Sequence, residues 1–243
     1  MRFSITHEFK YSYDSPVRLS TQYLRLMPRD TVRQKVLSWK LDTPGTALRT
    51  TDGYGNVLHV LTIDKPSTEI AIVAAGSVET ATSHADVSDF TGAPLPPLVF
   101  LRPTPLTRAD DKLAAFAGKF RNIGDTLAML RGLAQTVRER DAQGSAADAV
   151  HIFIACCRHL GVPARYVSGY FYAASVAMHA WAEAWVDDRW HSFDVWQGKP
   201  VAESHIKIAI GADYLDACPV RGVRVGGGTE TLIAQAHVEA SQQ

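Results

Sequence analysis

Near the start of the chain His7, Phe9, Tyr11 and Tyr13 alternate with Glu8, Lys10 and Ser12. Period-two alternation marks a strand with one buried face. More strand-like runs follow: QYLRLMP, QKVLSWKLDT, NVLHVLTID and EIAIVAAGSVET. Asp52-Gly53 and Tyr54-Gly55 punctuate them as turns. The pattern predicts a β-rich domain, a small antiparallel sheet or sandwich, over residues 1–85. The run TGAPLPPLVFLRPTPLT then carries five of the chain's 12 prolines. It predicts an extended Pro-rich connector over 86–107, packed on the surface.

Beyond the connector the hydrophobic period lengthens. Helices are predicted at about 108–120 and 125–140, the second with Leu127, Leu130, Leu133 and Val137 on one face. A third is predicted from Ser145 to Leu160. Ser145 with Asp148 three residues later fits a cap, and Gly161 and Pro163 fit a stop. RYVSGYFY, HAWAEAWV and RWHSFDV read as strands, VRVGGG as a flexible run, and TETLIAQAHVEA as a last strand. The order of elements predicts an α+β fold, with residues 108–243 as a second unit.

Asp187-Asp188 fits a two-residue hairpin turn between HAWAEAWV and RWHSFDV. In that register Trp185 pairs with Trp190, and Trp181 with Asp194. His179, Trp181, Glu183 and Trp185 then share a face with Trp190, Ser192 and Asp194, while His191 takes the other. One residue more or less in the turn would reverse this.

Composition narrows the function classes. Hydrophobic content is 46%, charged content 21%, and the formal net charge is +0. Nothing in this balance points to nucleic acid or to an anionic membrane surface. The N-terminus has no uninterrupted apolar segment of signal-peptide type, and no run approaches the roughly 20 apolar residues of a membrane span. A cytoplasmic location is expected. Cys156, Cys157 and Cys218 are an odd set without CxxC spacing, so reduced thiols are expected.

Candidate chemistry centres on His179 and Asp194. A histidine beside a carboxylate is the base and orienter half of a nucleophilic triad. The missing nucleophile belongs at the start of a helix, where the macrodipole favours a thiolate. If Ser145 is the N-cap, position 146 is the first helical residue, and it is alanine. Ser145 itself reads as the cap rather than a substitute nucleophile. Cys156 and Cys157 lie about 15 Å along the same helix and read as core. His179 and Asp194 fit a structural hydrogen-bonded pair as well. Trp181 and Trp196 are candidates for a substrate wall, with core packing as the alternative. His179, His191, His205 and Asp194 are the residues from which a metal site would be built. They form no compact ligand motif, so no metal is expected.

The stretches GVPARYVSGY, HAWAEAWV and RWHSFDV resemble the bacterial transglutaminase-like family, which has a papain-like cysteine protease core. The family pattern is roughly G-x-C-x-D-x-x-H, an apolar helix, C-R-x-L-G-x-P-A-R, then H-A-W-A-E and F-D-P. Gly144, Asp148, His151, Cys157, Arg158, Leu160, Gly161, Pro163, Ala164 and Arg165 match it without a gap. The match sets the family cysteine at Ala146 and the catalytic histidine and aspartate at His179 and Asp194. The tail and the β-rich N-terminal segment resemble the family too. The resemblance implies thiol chemistry on amide bonds, either hydrolysis or acyl transfer, without metal or organic cofactor.

Three departures stand out. Ala146 removes the nucleophile, the connector before Gly144 is short, and FDVWQG replaces FDPTNG. The short connector favours a naturally reshaped site over a single substitution. Three readings follow. The chain is a catalytically degenerate member that binds a peptide or protein; or it is an active cysteine peptidase or acyltransferase whose cysteine was exchanged for Ala146; or it is a scaffolding protein without a ligand cleft.

Overall fold

The computed structural model describes residues 1–81, 95–121, 124–140, 144–172, 177–199 and 201–241. The first part of the chain forms β1 (Arg2–Leu24), β2 (Gln34–Asp42), β3 (Ala47–Thr51), β4 (Val57–Ile63) and β5 (Ser67–Thr80). Three helices follow: α1 (Asp111–Gly118), α2 (Thr126–Arg140) and α3 (Ala146–His159). Then come β6 (Ala164–Phe171), β7 (Ala177–Val186), β8 (Arg189–Phe193), β9 (His205–Gly211), α4 (Tyr214–Ala217), β10 (Val220–Gly226) and β11 (Glu230–Ser241).

Two antiparallel sheets result, consistent with the α+β expectation. The first runs β2-β5-β1-β4-β3, and β10 and β11 also pair with β1. The two strand-like runs expected at the N-terminus are one long strand. Its first half, to Tyr13, lies between β5 and β11, while its second half pairs with β10 from Val17 and with β4 from Ser20. The register to β5 shifts between Ser12 and Val17, where Pro16 can donate no ladder hydrogen bond. The second sheet runs β8-β7-β6-β9.

Expectation and structure differ at the end of the chain. VRVGGG is not a flexible run, because its first residues lie in β10. Gly226, Gly227 and Gly228 then take φ of 86°, 92° and 57° and lead into β11, a geometry open to glycine at little cost. Residues 220–241 thus return to the N-terminal sheet instead of extending the second unit. Of the expected connector, 86–94 lies outside the described residues. The remainder contains a short 3-10 helix over Pro97–Leu101. Its Phe100 is buried edge-on against Trp190, so this part is packed inward.

The helices begin and end where the sequence dictates. Ser145 caps α3, and its hydroxyl and the Asp148 carboxylate satisfy each other's backbone N–H groups in a capping box. Gly161 follows at φ 81° and lets the chain reverse into β6. Val150, Phe153 and Ile154 of α3 share one core with Ala180, Ala182 and Ala184 of β7, whose small side chains allow helix and sheet to approach closely.

Arg158 ties this junction together. Its guanidinium donates to the carbonyls of Phe100 (2.8 Å), Ala164 (2.9 Å) and Ala212 (2.7 Å) and to the Thr107 hydroxyl. Burial pulls its pKa down to about 10, so the charge persists at neutral pH. A single ammonium does not reproduce a planar fork of donors. Arg158→Lys is expected to lose about 2 kcal/mol of stability, read from the urea midpoint; no loss would show that the fork carries no weight.

Candidate active site

The hairpin fixes one side of the site. Asp187 and Asp188 have φ of 48° and 58°, the left-handed pair that a type I′ turn needs. Trp185 pairs with Trp190, Glu183 with Ser192 and Ala182 with Phe193, the register that a two-residue turn predicts. Asp194 follows directly, on the His179 face.

The two side chains meet. His179 Nε2 lies 2.7 Å from Asp194 Oδ2, and the two side chains are 8% and 0% exposed. A second histidine joins them from β9: His205 Nε2 lies 2.9 Å from the same oxygen. Asp194 Oδ1 accepts the backbone N–H of Gln197 at 3.0 Å. Burial alone would raise the pKa of Asp194, but the hydrogen bonds from His179 and His205 outweigh it and hold the carboxyl down to about 2. Asp194 is therefore a charged acceptor throughout the physiological range.

The start of α3 lies at this end of the sheet. Arg158, near the end of α3, bonds to the carbonyl of Ala164 at the start of β6, and the two elements run antiparallel. Ala146 is about 18 Å back along the helix at 1.5 Å per residue. At about 3.4 Å per strand residue that reaches Gly169, and Gly169 pairs with His179. Intermediate contacts agree: His151 stacks on Tyr166 and Phe153 packs on Phe193. From the other direction, Arg138 near the end of α2 donates to the carbonyl of Trp196 at 3.1 Å. Residues 141–143 of the short connector lie outside the described residues.

Ala146 is the first residue of α3 and is partly buried. It presents only a methyl group where a nucleophile is wanted. Ser145 is occupied as the cap, its hydroxyl donating to Asp148 Oδ2 at 2.7 Å. Ser145→Ala is expected to cost about 1 kcal/mol, measured by thermal unfolding; a neutral result would leave the hydroxyl free for another role. Cys156, Cys157 and Cys218 are buried, and burial pushes the Cys156 thiol up to about 12 and Cys157 well above its ordinary value. Neither supplies a thiolate.

The tryptophans divide. Trp181 is 1% exposed and packs with Val167, Val201 and Ile210. It forms the floor behind His205, whose ring it meets edge-on at 5.4 Å, and presents no open face to a ligand. Trp196 is only partly buried, on the loop after Asp194, and packs against the main core. His151 accepts the backbone N–H of Tyr214 at 3.2 Å, which ties α3 to α4. His191 pairs opposite Ala184, on the face away from His179.

His179, Asp194 and His205 bring their ligand-type atoms within 4.8 Å of one another, compact enough for a divalent ion. The hydrogen bonding opposes that use. The N–H of Ala202 donates to His205 Nδ1 at 3.2 Å. Nδ1 is therefore unprotonated, the neutral ring carries its proton on Nε2, and no lone pair is left there for a metal.

Known proteins agree with this architecture. Residues 3–79 match the family described as the bacterial transglutaminase-like N-terminal region, and residues 114–195 match the transglutaminase-like superfamily. Both matched segments are thus similar to transglutaminase-like proteins, as the sequence motifs led one to expect. Among similar proteins, an uncharacterized protein of Mycobacterium leprae is 26% identical over 95% of this chain and 96% of its own length. An uncharacterized protein of Mycobacterium tuberculosis is 25% identical over 91% of this chain and 87% of its own. A crystal structure from Cytophaga hutchinsonii, described as a candidate cysteine protease, covers 100% of this chain with a TM-score of 0.76 at 21% identity. That likeness is one of fold. The superfamily match ends at residue 195, one residue beyond Asp194, so His205 lies outside the matched segment. Sequence reasoning weighed His205 only as a metal ligand. Its β9 neighbours Ile206, Ile208 and Ile210 were the available signal for a buried strand.

Proposed function

We propose that this transglutaminase-like chain is catalytically degenerate and binds a peptide or protein segment at the His179–Asp194 end of its core sheet without cleaving it. One observation carries the reading. The His–Asp pair is intact, while the helix start at its level along the sheet carries Ala146 inside a complete capping box. Without a thiol no acyl-enzyme forms, and the remaining groups are suited to hydrogen-bonding an amide. Partly buried Trp196 supplies apolar surface beside them.

The same intact geometry favours a second reading, an ancestral or exchanged cysteine at position 146 in an otherwise working thiol site. A glutamine-containing peptide mixture, given in parallel to the chain and to its Ala146→Cys variant, distinguishes them, because only the second reading expects the restored cysteine to turn it over. Incubation with the chain is expected to release neither ammonia nor new amines, while amide NMR signals near His179 and Trp196 shift on peptide addition. Turnover that a thiol reagent blocks would contradict degeneracy, and unshifted signals would contradict peptide binding.

A further inference from the structure

Asp194 Oδ2 is shared. It receives His179 from β7 and His205 from β9, at 2.7 and 2.9 Å. Two positively charged rings on one oxygen would repel each other, so the arrangement calls for one ring that stays neutral. His205 meets that requirement by construction. The Ala202 N–H occupies its Nδ1, and the backbone N–H of His205 itself returns to the carbonyl of Ala202 at 3.0 Å. Its ring is 2% exposed and lies against Phe171 and Trp181. Burial lowers its pKa, Asp194 opposes that, and His179 and Arg33 add to the lowering. With Nδ1 an acceptor, Nε2–H is a permanent donor aimed at Asp194.

We propose that His205 is a positioning residue. Its locked Nε2–H holds the Asp194 carboxylate in place, so that Asp194 in turn fixes the tautomer and direction of His179. The proposal deepens the functional reading above and rests on it for the use to which His179 is put. The result is a His–Asp–His chain in which, among the described residues, the His179 Nδ1 takes no part in the hydrogen bonds. That nitrogen is the one available to a ligand amide, or to a thiol restored at position 146.

The test has two independent arms. In the unsubstituted chain, nitrogen-15 NMR of the histidine rings is expected to show His205 as the neutral Nε2–H tautomer at neutral pH. His205→Ala is expected to speed exchange of the His179 Nε2–H by about tenfold, the loss of one charge-assisted hydrogen bond at Asp194. His205→Gln keeps a donor at the Nε2 position and is expected to stay within about threefold of the unsubstituted rate. A fold contribution alone would make both substitutions alike.

An Nδ1–H or doubly protonated His205 would overturn the proposal, and so would zinc ions binding at micromolar concentration with loss of that signal. Where His205→Ala does not fold, the tautomer and the glutamine variant still decide. The second arm adds His205→Ala and His205→Gln to Ala146→Cys and follows labelling of the introduced thiol against pH. If that labelling ignores His179 altogether, the functional reading fails while the tautomer result for His205 still stands or falls by itself.

Discussion

Replacing Glu183 with leucine is expected to cost about 3–5 kcal/mol of folding stability, the largest effect of any single substitution considered. Glu183 is buried at 0% exposure. Its Oε2 accepts from Arg165 Nε at 2.7 Å, and its Oε1 accepts from Lys207 Nζ and from the Ser192 hydroxyl at 3.3 Å. Arg165 stacks over Trp190 at 3.9 Å. A leucine of similar volume fills the space but removes the carboxylate from two buried cations, and uncompensated buried charge is what makes breaking such a pair expensive. Urea denaturation checks it: a loss under about 1 kcal/mol would place the network among exposed pairs of little weight.

The same network sets an acid limit. Burial would raise the pKa of Glu183, but Lys207 and Arg165 override it and hold the group down to about 2, from an ordinary 4.5. Asp194 behaves alike, from 3.8 to about 2. A depressed carboxylate contributes stability in full above its unfolded pKa and loses it as pH falls toward the folded one. Both contributions should therefore be constant above about pH 4.5 and vanish between about pH 4.5 and 2. His7 adds a slope at higher pH. It is buried against the Tyr170 hydroxyl at 3.0 Å, with its pKa pulled to about 4 by burial. Protonation then favours the unfolded chain progressively below the ordinary histidine value of 6.5. Thermal midpoints across pH 3–7 should fall in two stages, and the upper one should shrink in His7→Gln, leaving the part due to His59, His151 and His205, which burial also lowers.

Local signals carried much of this structure. Ser145, Asp148 and Gly161 marked the ends of α3, and Asp187-Asp188 fixed the register that brings Asp194 beside His179. What was not legible depends on distant pairing. Nothing near Thr231–Ala240 says that β11 lies along β1, 219 to 237 residues away in sequence. β9 alternates Ile206, Ile208 and Ile210 with His205, Lys207 and Ala209, which signals a strand but not that it lies beside β6, so nothing local set His205 against Asp194. Glu183 was placed on the correct face, yet its partners Arg165 and Lys207 lie 18 and 24 residues off. A glutamate between Trp181 and Trp185 on a buried face must find cations, and that argument would have found the network without identifying the partners.

On the proposed reading, the site is a His–Asp base that lacks only its nucleophile. Strand alternation turns Ala180 toward α3 and His179 to the other face of β7, at the end of the strand. The His179 ring must therefore reach past that end to the helix start. Ala146→Cys tests this most directly, with iodoacetamide at pH 6 and mass spectrometry to locate the label. An ordinary thiol of pKa about 8.5 is then thiolate in only roughly one molecule in three hundred. A thiol at a helix N-terminus and paired with His179 should react on the order of a hundredfold faster, and Ala146→Cys/His179→Ala should lose that advantage. Slow labelling of the introduced thiol, equal with and without His179, would contradict the claim and leave His179, Asp194 and His205 as a structural cluster.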